Sequence, residues 1–331
     1  MSQRPTRSII ASTGMTVPDK IVTNADFERI VDTSDEWIAT RTGIKERRMC
    51  AEGQHTADLA ADAGRKALEE AGLSPADVDV LILSTATPDH LLPATACETQ
   101  ALLGLENAVA FDISAACAGW LYGITLADAL LTSALYENVL VIGAEKMSAI
   151  LDYTDRTTCV LFGDGAGAGL VVPGDGNRRG ILASYMRTNG RQATLLWRPA
   201  GGAAMPSTEA TRSEGMEYVK QEGREIFKQA VTCMEDACRR ALEIAGMTIA
   251  DVDLVIPHQA NIRIIEGVAK RLGVENDRVF VNIDRYGNTS SASIPIAFDE
   301  ARRQGRAGEG STVLMTAFGG GLAWGSALIK L

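Results

Sequence analysis

The sequence predicts an α/β fold built from two duplicated halves, each packing helices around a largely buried sheet. Three observations predict it. Residues 67–83 (ALEEAGLSPADVDVLIL) and 241–257 (ALEIAGMTIADVDLVIP) repeat at a fixed offset of 174, with ten identities in 17 pairs. Average amino-acid usage would give about one. The same offset aligns Val139-Leu140 with Val313-Leu314, in a second strand-like run. In both repeats a helical pattern gives way to a short apolar run, as expected of a strand covered on both faces.

In chain order, Ala60, Ala63, Ala67 and Ala71 recur at helical spacing and line a tightly packed face, with Gly72 as the C-terminal stop. Val78, Val80, Leu81, Ile82 and Leu83 form the strand that follows. Val109, Phe111 and Ile113 alternate as a strand and hand over to a helical pattern at Cys117. The run from Phe162 to Gly169 is glycine-rich, but Ala168 occupies the place of the last glycine in G-x-G-x-x-G. It reads as close backbone packing, not a dinucleotide cradle. In the second half, Leu254-Val255-Ile256 runs into Pro257-His258-Gln259-Ala260-Asn261, and Val279–Ile283 leads to another strand-to-helix handover at 284–291. The stretch 191–215, rich in Gly, Ala and Pro, reads as a surface loop.

Composition bounds the function. The 331 residues are 46% hydrophobic and 22% charged, ordinary for a soluble protein with a large core. A net charge of −10, from 32 basic and 42 acidic residues, argues against a general nucleic-acid binder, so any basic patch is local. The first residues show no signal-peptide core, and no apolar run is long enough to span a bilayer. Six cysteines without C-x-x-C spacing argue against a zinc site and a disulfide framework. A reducing cytoplasm, no membrane and no metal are expected.

Cys117 is the leading nucleophile candidate. A thiol at a helix start meets unpaired backbone N–H groups and the positive end of the peptide dipole, which favours thiolate, the attacking species. The other five cysteines lack that setting and read as small buried hydrophobes. The offset partner of Cys117 is Ser291, beside Gly287-Asn288. Of three histidines, only His258 follows a core strand directly. Taken singly, Asn288 reads as a turn residue and His258 as a structural one. Equivalent strand ends of a duplicated α/β fold, however, are where ligands bind. Gly319-Gly320-Gly321 adds a run in which a backbone N–H can approach a reacting oxygen.

Together these segments resemble β-ketoacyl-acyl carrier protein synthase III, a thiolase-fold condensing enzyme. The resemblance runs over nearly the whole chain. It is carried by 33–44 (TSDEWIATRTGI), the Cys117 segment, Asp155-Arg156, 162–168, His258–Asn261, Gly287–Ser290 and Phe318–Gly321. It implies a layered αβαβα arrangement with central mixed sheets, and halves at 1–172, carrying the nucleophile, and 173–331, carrying His and Asn. It further implies a decarboxylating condensation that starts type II fatty-acid synthesis. Acetyl-CoA or another short acyl-CoA acylates Cys117, malonyl-acyl carrier protein loses carbon dioxide, and a 3-oxoacyl carrier is released. Cys117, His258 and Asn288 form the implied triad, with the N–H groups of Cys117 and Gly320 as oxyanion hole. Elongating relatives use Cys-His-His and thiolases a second cysteine in the glycine loop, and this chain has neither. A secondary-metabolism homologue, a cysteine hydrolase and a non-catalytic carrier-binding scaffold are the competing readings.

The resemblance also assigns CoA binding to Thr33, Trp37, Arg41, Arg156, Gly223 and Asn261. Thr33 and Glu36 form a capping-box pattern, which predicts a short helix ending before Gly43 with Trp37 and Arg41 on one face. Carrier docking falls to Lys228, Arg263, Lys270 and Arg271. Two positions depart from the family's pattern in the acyl pocket: Leu92 stands where an aromatic residue often precedes the proline, and Gln221 where methionine is frequent. No cofactor beyond the CoA thioester substrate is implied. A homodimer is expected.

Overall fold

The computed structural model describes residues 7–174, 176 and 179–331. The first half contributes strands β1 (Ser8–Thr16), β2 (Val80–Ser84), β3 (Val109–Ile113), β4 (Val139–Glu145) and β5 (Gly165–Pro173), in the sheet order β1-β5-β4-β2-β3. The second contributes β6 (Gly180–Thr188), β7 (Leu254–Pro257), β8 (Thr312–Gly319) and β9 (Ala323–Lys330), in the order β6-β9-β8-β7. Both sheets are mixed in the same way: β2 and β7 run parallel to β4 and β8, whereas β5 and β9 are antiparallel to those strands. The second sheet's counterpart of β3 is reduced to a single parallel bridge between Val255 and Val279.

Helices α1 (Asp35–Thr42), α2 (Thr56–Ala71), α3 (Thr95–Leu103), α4 (Gly119–Thr132), α5 (Gly223–Ala245), α6 (Ile262–Leu272) and α7 (Ser293–Arg303) complete the frame. α4 and α7 lie between the sheets, in a core that includes Trp120, Ile82, Val141, Leu254, Met315 and Phe298. The Trp120 and Phe298 rings meet there with centroids 6.4 Å apart. α2 covers the outer face of the first sheet with the predicted alanine stripe: Ala60, Ala63 and Ala67 are fully buried, and Gly72 ends the helix at φ 68°. α5 and α6 cover the second sheet with Met234, Cys238, Ile265 and Val268. These are the five layers of the thiolase-like fold.

The glycine-rich run 163–169 enters β5 and serves packing, as the sequence suggests. A Cβ on Gly167 would lie 2.7 Å from the backbone nitrogen of Ile296, so only glycine lets α7 approach this closely. The predicted surface loop 191–215 is more ordered than expected. It opens with a 3-10 turn and strand Leu196–Trp197, contains a short helix at Glu209–Ser213, and returns so that Lys220–Gln221 pairs with Leu196–Trp197. That pairing draws the segment toward the site described next.

Candidate active site

Two sharp elbows related by the duplication build the site. At the first, β3 passes into a 3-10 turn at Ala116–Ala118 and then α4, with Ala116 at φ 45°. At the second, a 3-10 turn at Ser290–Ala292 leads into α7, with Ser290 at φ 48°. Residues 116 and 290 differ by the repeat offset, so the same left-handed kink is used twice. Non-glycine residues seldom adopt it, and such strain collects at functional positions. The first elbow aims Cys117 inward; the second brings Asn288 to the same place. His258 follows the last residue of β7, its N–H donating to the Thr316 carbonyl at 2.7 Å.

Cys117, His258 and Asn288 line one cavity of about 140 Å³, with Phe162, Leu196, Phe227, Met234 and Phe318 among its other walls. Three groups separated widely along the chain therefore share a single pocket. Asn288 is held from both sides: its N–H donates to the Leu161 carbonyl at 2.9 Å, and its carbonyl accepts from Gly163 N–H at 3.0 Å. Its side-chain Oδ1 accepts from Ser290 N–H at 2.9 Å. With the oxygen so occupied, the Nδ2 group is left as the free donor.

His258 is 1% exposed, and neither ring nitrogen has a protein partner among the described residues. Burial pushes its pKa down to about 3, so the ring is neutral at physiological pH. Cys117 departs from its expectation. It hydrogen-bonds Ser290 Oγ at 3.6 Å, but burial, with the nearby Glu145 carboxylate, pushes its pKa up to about 12. From 9.0 this is about 4 kcal/mol against the thiolate. A helix terminus contributes about 0.3–2 kcal/mol. Desolvation outweighs the dipole and favours the thiol form.

The tail presses directly on the nucleophile. A Cβ on Gly319 would lie 2.6 Å from the Cys117 nitrogen, so this glycine permits the close approach. A Cβ on Gly320, the residue implied for the oxyanion hole, would instead meet the Leu196 carbonyl at 2.9 Å.

Residues 111–190 match 3-oxoacyl-[acyl-carrier-protein (ACP)] synthase III, and residues 242–331 match its C-terminal region. Beta-ketoacyl-[acyl-carrier-protein] synthase III of Roseiflexus castenholzii is 52% identical, with 97% of each chain covered. The protein of that name from Caldanaerobacter subterraneus is 51% identical at the same coverage. The crystal structure of 3-oxoacyl-[acyl-carrier-protein] synthase III from Aquifex aeolicus superposes with a TM-score of 0.90 at 48% identity, covering 98% of this chain and 100% of that one. The chain belongs to the 3-oxoacyl-acyl carrier protein synthase III family. It is accordingly an acyl-transferring condensing enzyme.

The remaining residues singled out by resemblance to this family distribute unevenly. Trp37 is flanked by two guanidiniums, Arg41 at 4.8 Å and Arg156 at 5.4 Å from its ring centroid. Arg156 is braced by the carbonyl of Asp32 at 2.7 Å. The helix cap is not where the capping-box pattern suggested. Ser34 caps α1, accepting from Trp37 N–H at 3.1 Å, because the helix begins one residue later than Thr33 would require. Thr33 Oγ1 is buried without a partner among the described residues.

Gly223 and Asn261 line the cavity, each at a helix start; Asn261 caps α6 through Arg263 N–H at 2.9 Å. Gln221 also lines it and donates to the Thr157 carbonyl at 3.0 Å. Leu92 does not join them. Its segment points outward, leaving the side chain 88% exposed and outside this cavity. Arg263 and Lys270 are exposed on α6, two turns apart on one face. Lys228 is paired with Glu225 at 2.8 Å and Arg271 with Glu235 at 3.0 Å.

Sequence reasoning missed Glu145 and Ser290. Glu145 closes the apolar strand Val139–Glu145 and is fully buried. A charged residue ending such a run was the available signal. Among the described residues no cluster of His, Cys, Asp or Glu could hold a metal ion, and no helix is long and apolar enough to cross a membrane.

Proposed function

We propose that this chain condenses acetyl-CoA, or another short acyl-CoA, with malonyl-acyl carrier protein through an acyl-Cys117 intermediate, giving a 3-oxoacyl carrier and starting fatty-acid synthesis. The observation that carries the reading is the shared cavity of Cys117, His258 and Asn288. Cys117 attacks the thioester carbonyl and the backbone N–H groups of Cys117 and Gly320 hold the oxyanion. The malonyl group of the carrier then occupies the cavity that CoA has left. As its carboxylate leaves, negative charge develops on the thioester oxygen, and His258 and Asn288 donate hydrogen bonds to it. A neutral imidazole and an amide whose oxygen is already engaged suit that task. The carbanion attacks acyl-Cys117 and the thiolate is expelled.

Trp37, Arg41 and Arg156 hold the adenine and phosphates of CoA, with Thr33 alongside, while Gly223 and Asn261 flank its arm. Planar guanidiniums against an indole suit a flat base, and arginine suits phosphate. Lys228, Arg263, Lys270 and Arg271 form the carrier patch. Phe227 and Ile264, which neighbour Lys228 and Arg263 in sequence, line the cavity, and this supports docking at that end. Gln221 lines the cavity and is the position proposed to tune the primer, whereas Leu92 lies outside this cavity's wall. No metal or organic cofactor enters the scheme. The nucleophile half is 1–172 and the His–Asn half 173–331, and the protein works in the cytoplasm.

A homodimer fits the unpaired edge of β3. Val109 there is 51% exposed, and Leu102 on the adjacent α3 is 50% exposed. Edge strands with apolar faces are ready sites for pairing with a second chain.

The direct test is intact-mass analysis after exposure to a panel of acyl-CoAs, with Cys117→Ala as control. Label on Cys117 that malonyl carrier removes as 3-oxoacyl product supports the reading; free acid as the product favours a hydrolase. For the CoA cluster, Trp37→Ala should raise KM for acetyl-CoA about tenfold with kcat little changed, since about 1.4 kcal/mol of stacking and cation–π contact is lost. An unchanged KM in steady-state kinetics would remove Trp37 from the site.

His258 also makes a stability prediction. Its folded pKa lies below the ordinary 6.5, so below pH 6.5 the unfolded chain takes up a proton that the fold refuses. This stability is complete above pH 6.5 and is lost as pH falls toward 3. Between pH 7 and pH 5 the loss is about 2 kcal/mol. Urea unfolding of wild type and His258→Leu at both values should show the variant losing less. Equal losses would mean that the ring is not buried as described.

A further inference from the structure

Outside the proposed triad, the buried group nearest the Cys117 thiol through hydrogen bonds is Glu145. Its side chain is fully buried at the end of β4, and among the described residues it makes no ion pair. Hydroxyls and amides satisfy it instead. Oε1 accepts from Ser291 Oγ at 2.7 Å, Ser290 Oγ at 3.0 Å, Ala86 N–H at 3.2 Å and Ser291 N–H at 3.3 Å. Oε2 accepts from Thr87 Oγ1 at 2.6 Å, Ala86 N–H at 3.0 Å and Thr85 Oγ1 at 3.2 Å. A carboxylate is costly to bury without a cation, and here backbone N–H groups and hydroxyls compensate both of its oxygens. The same oxygen that accepts from Ser290 Oγ is therefore one hydroxyl away from Cys117, because Ser290 Oγ lies 3.6 Å from the thiol sulfur.

We propose that Ser290 and Glu145 form a proton relay for Cys117: Ser290 takes the thiol proton while passing its own to Glu145. The proposal rests on the reading of Cys117 as the acyl acceptor. In acylation the S–H bond of Cys117 breaks, its sulfur bonds to the acyl carbon, and the bond from that carbon to the CoA sulfur breaks. Glu145 ends protonated through Ser290, and the departing CoA thiolate is protonated by solvent. In condensation the carbon–sulfur bond to Cys117 breaks and the expelled thiolate recovers its proton from Glu145 by the same route. Over one cycle a single solvent proton is consumed, matching one thiol released and one carbon dioxide lost.

This relay supplies what the site otherwise lacks. The thiol is held protonated by burial, and the neutral His258 is reserved in the proposed scheme as a donor to the enolate. Burial also raises the Glu145 carboxyl above its ordinary range, which brings acid and thiol closer in proton affinity. The titratable group facing Glu145 across Ser290 is Cys117 itself. Lys146, next in sequence, turns its ammonium to the Gln54 carbonyl at 2.6 Å. The elements packed against the carboxylate (84–87 and 290–291) contribute only hydroxyls and amides.

Ser290→Ala and Glu145→Gln test the relay in the full-length protein. Ala116 holds the equivalent left-handed kink with only a methyl group, so alanine is accommodated at 290. Glutamine keeps the size of Glu145. The readout is the single-turnover rate of Cys117 acetylation by acetyl-CoA, followed by intact mass from pH 5 to pH 9. Wild type should lose rate on the acid side as Glu145 takes up a proton, and level off above. Both variants should be slowed about 100-fold near neutrality, the scale of a general base. Each should lose the acid limb and gain rate with hydroxide instead. Wild-type rates and pH profiles in both variants would overturn the relay, as would a wild-type profile in Glu145→Gln alone. If Glu145→Gln fails to fold, Ser290→Ala decides by the same profile. Failure of wild type itself to label would instead overturn the acyl-acceptor reading.

Discussion

Cys117→Ala should abolish the acyl-enzyme and reduce 3-oxoacyl carrier formation to background, while the fold is preserved. The side chain is 6% exposed and small, so its loss leaves a minor cavity. Covalent catalysis has no second candidate here. Cys159 and Cys238 are buried, with pKa values pushed up to about 11, and neither lines the cavity. Cys97 is exposed, but it lies on α3 and outside the cavity. Condensation assayed with malonyl carrier, alongside a thermal melt, separates chemistry from stability. Residual turnover above about one-thousandth of wild type would mean that the acyl group is carried elsewhere.

The second large effect should divide the reaction in two. His258→Ala and Asn288→Ala should each lower condensation about 100- to 1000-fold, the usual loss when one donor to a developing oxyanion is removed. Acetylation of Cys117 should continue in both, because in this scheme that step uses the backbone N–H groups instead. Rapid-quench measurement of acyl-enzyme and product in the same sample checks the split. Equal loss of both steps would place the two residues in the acyl-transfer machinery. Asn288→Ala also removes the acceptor for Ser290 N–H. A modest fall in acetylation there, absent from His258→Ala, would report the elbow shifting.

Much of this site was legible because the chain repeats itself. The offset tied the Cys117 elbow to the one beside Asn288, and the structure carries the correspondence down to one kinked residue in each, Ala116 and Ser290. His258 could be read because a histidine directly after a buried strand has few places to point. What could not be read depends on contacts distant in sequence. Glu145 gains its meaning from residues 58 to 146 positions away, such as Thr87 and Ser291, whose hydroxyl and amide groups hold its carboxylate.

A thiolate at Cys117 is what the helix terminus alone would favour, but a buried elbow also strips water from the sulfur, and that desolvation outweighs the dipole. Thr33 and Ser34 are both competent caps, and only the observed start of α1 chooses Ser34. The outward course of the Leu92 segment, and the strand that pins 191–215 against Gln221, are likewise set by tertiary packing.

In the proposed cycle one sulfur first accepts an acyl group and then surrenders it to a carbanion formed in the same pocket. Sequential intact-mass analysis of the wild-type enzyme tests it most directly, with acetyl-CoA added first and malonyl carrier second. The expected result is a mass gain of one acetyl group mapped to Cys117, which disappears on the second addition as 3-oxoacyl carrier and carbon dioxide appear in equal amounts. An unlabelled Cys117, or a label that persists while carbon dioxide is released, would contradict it.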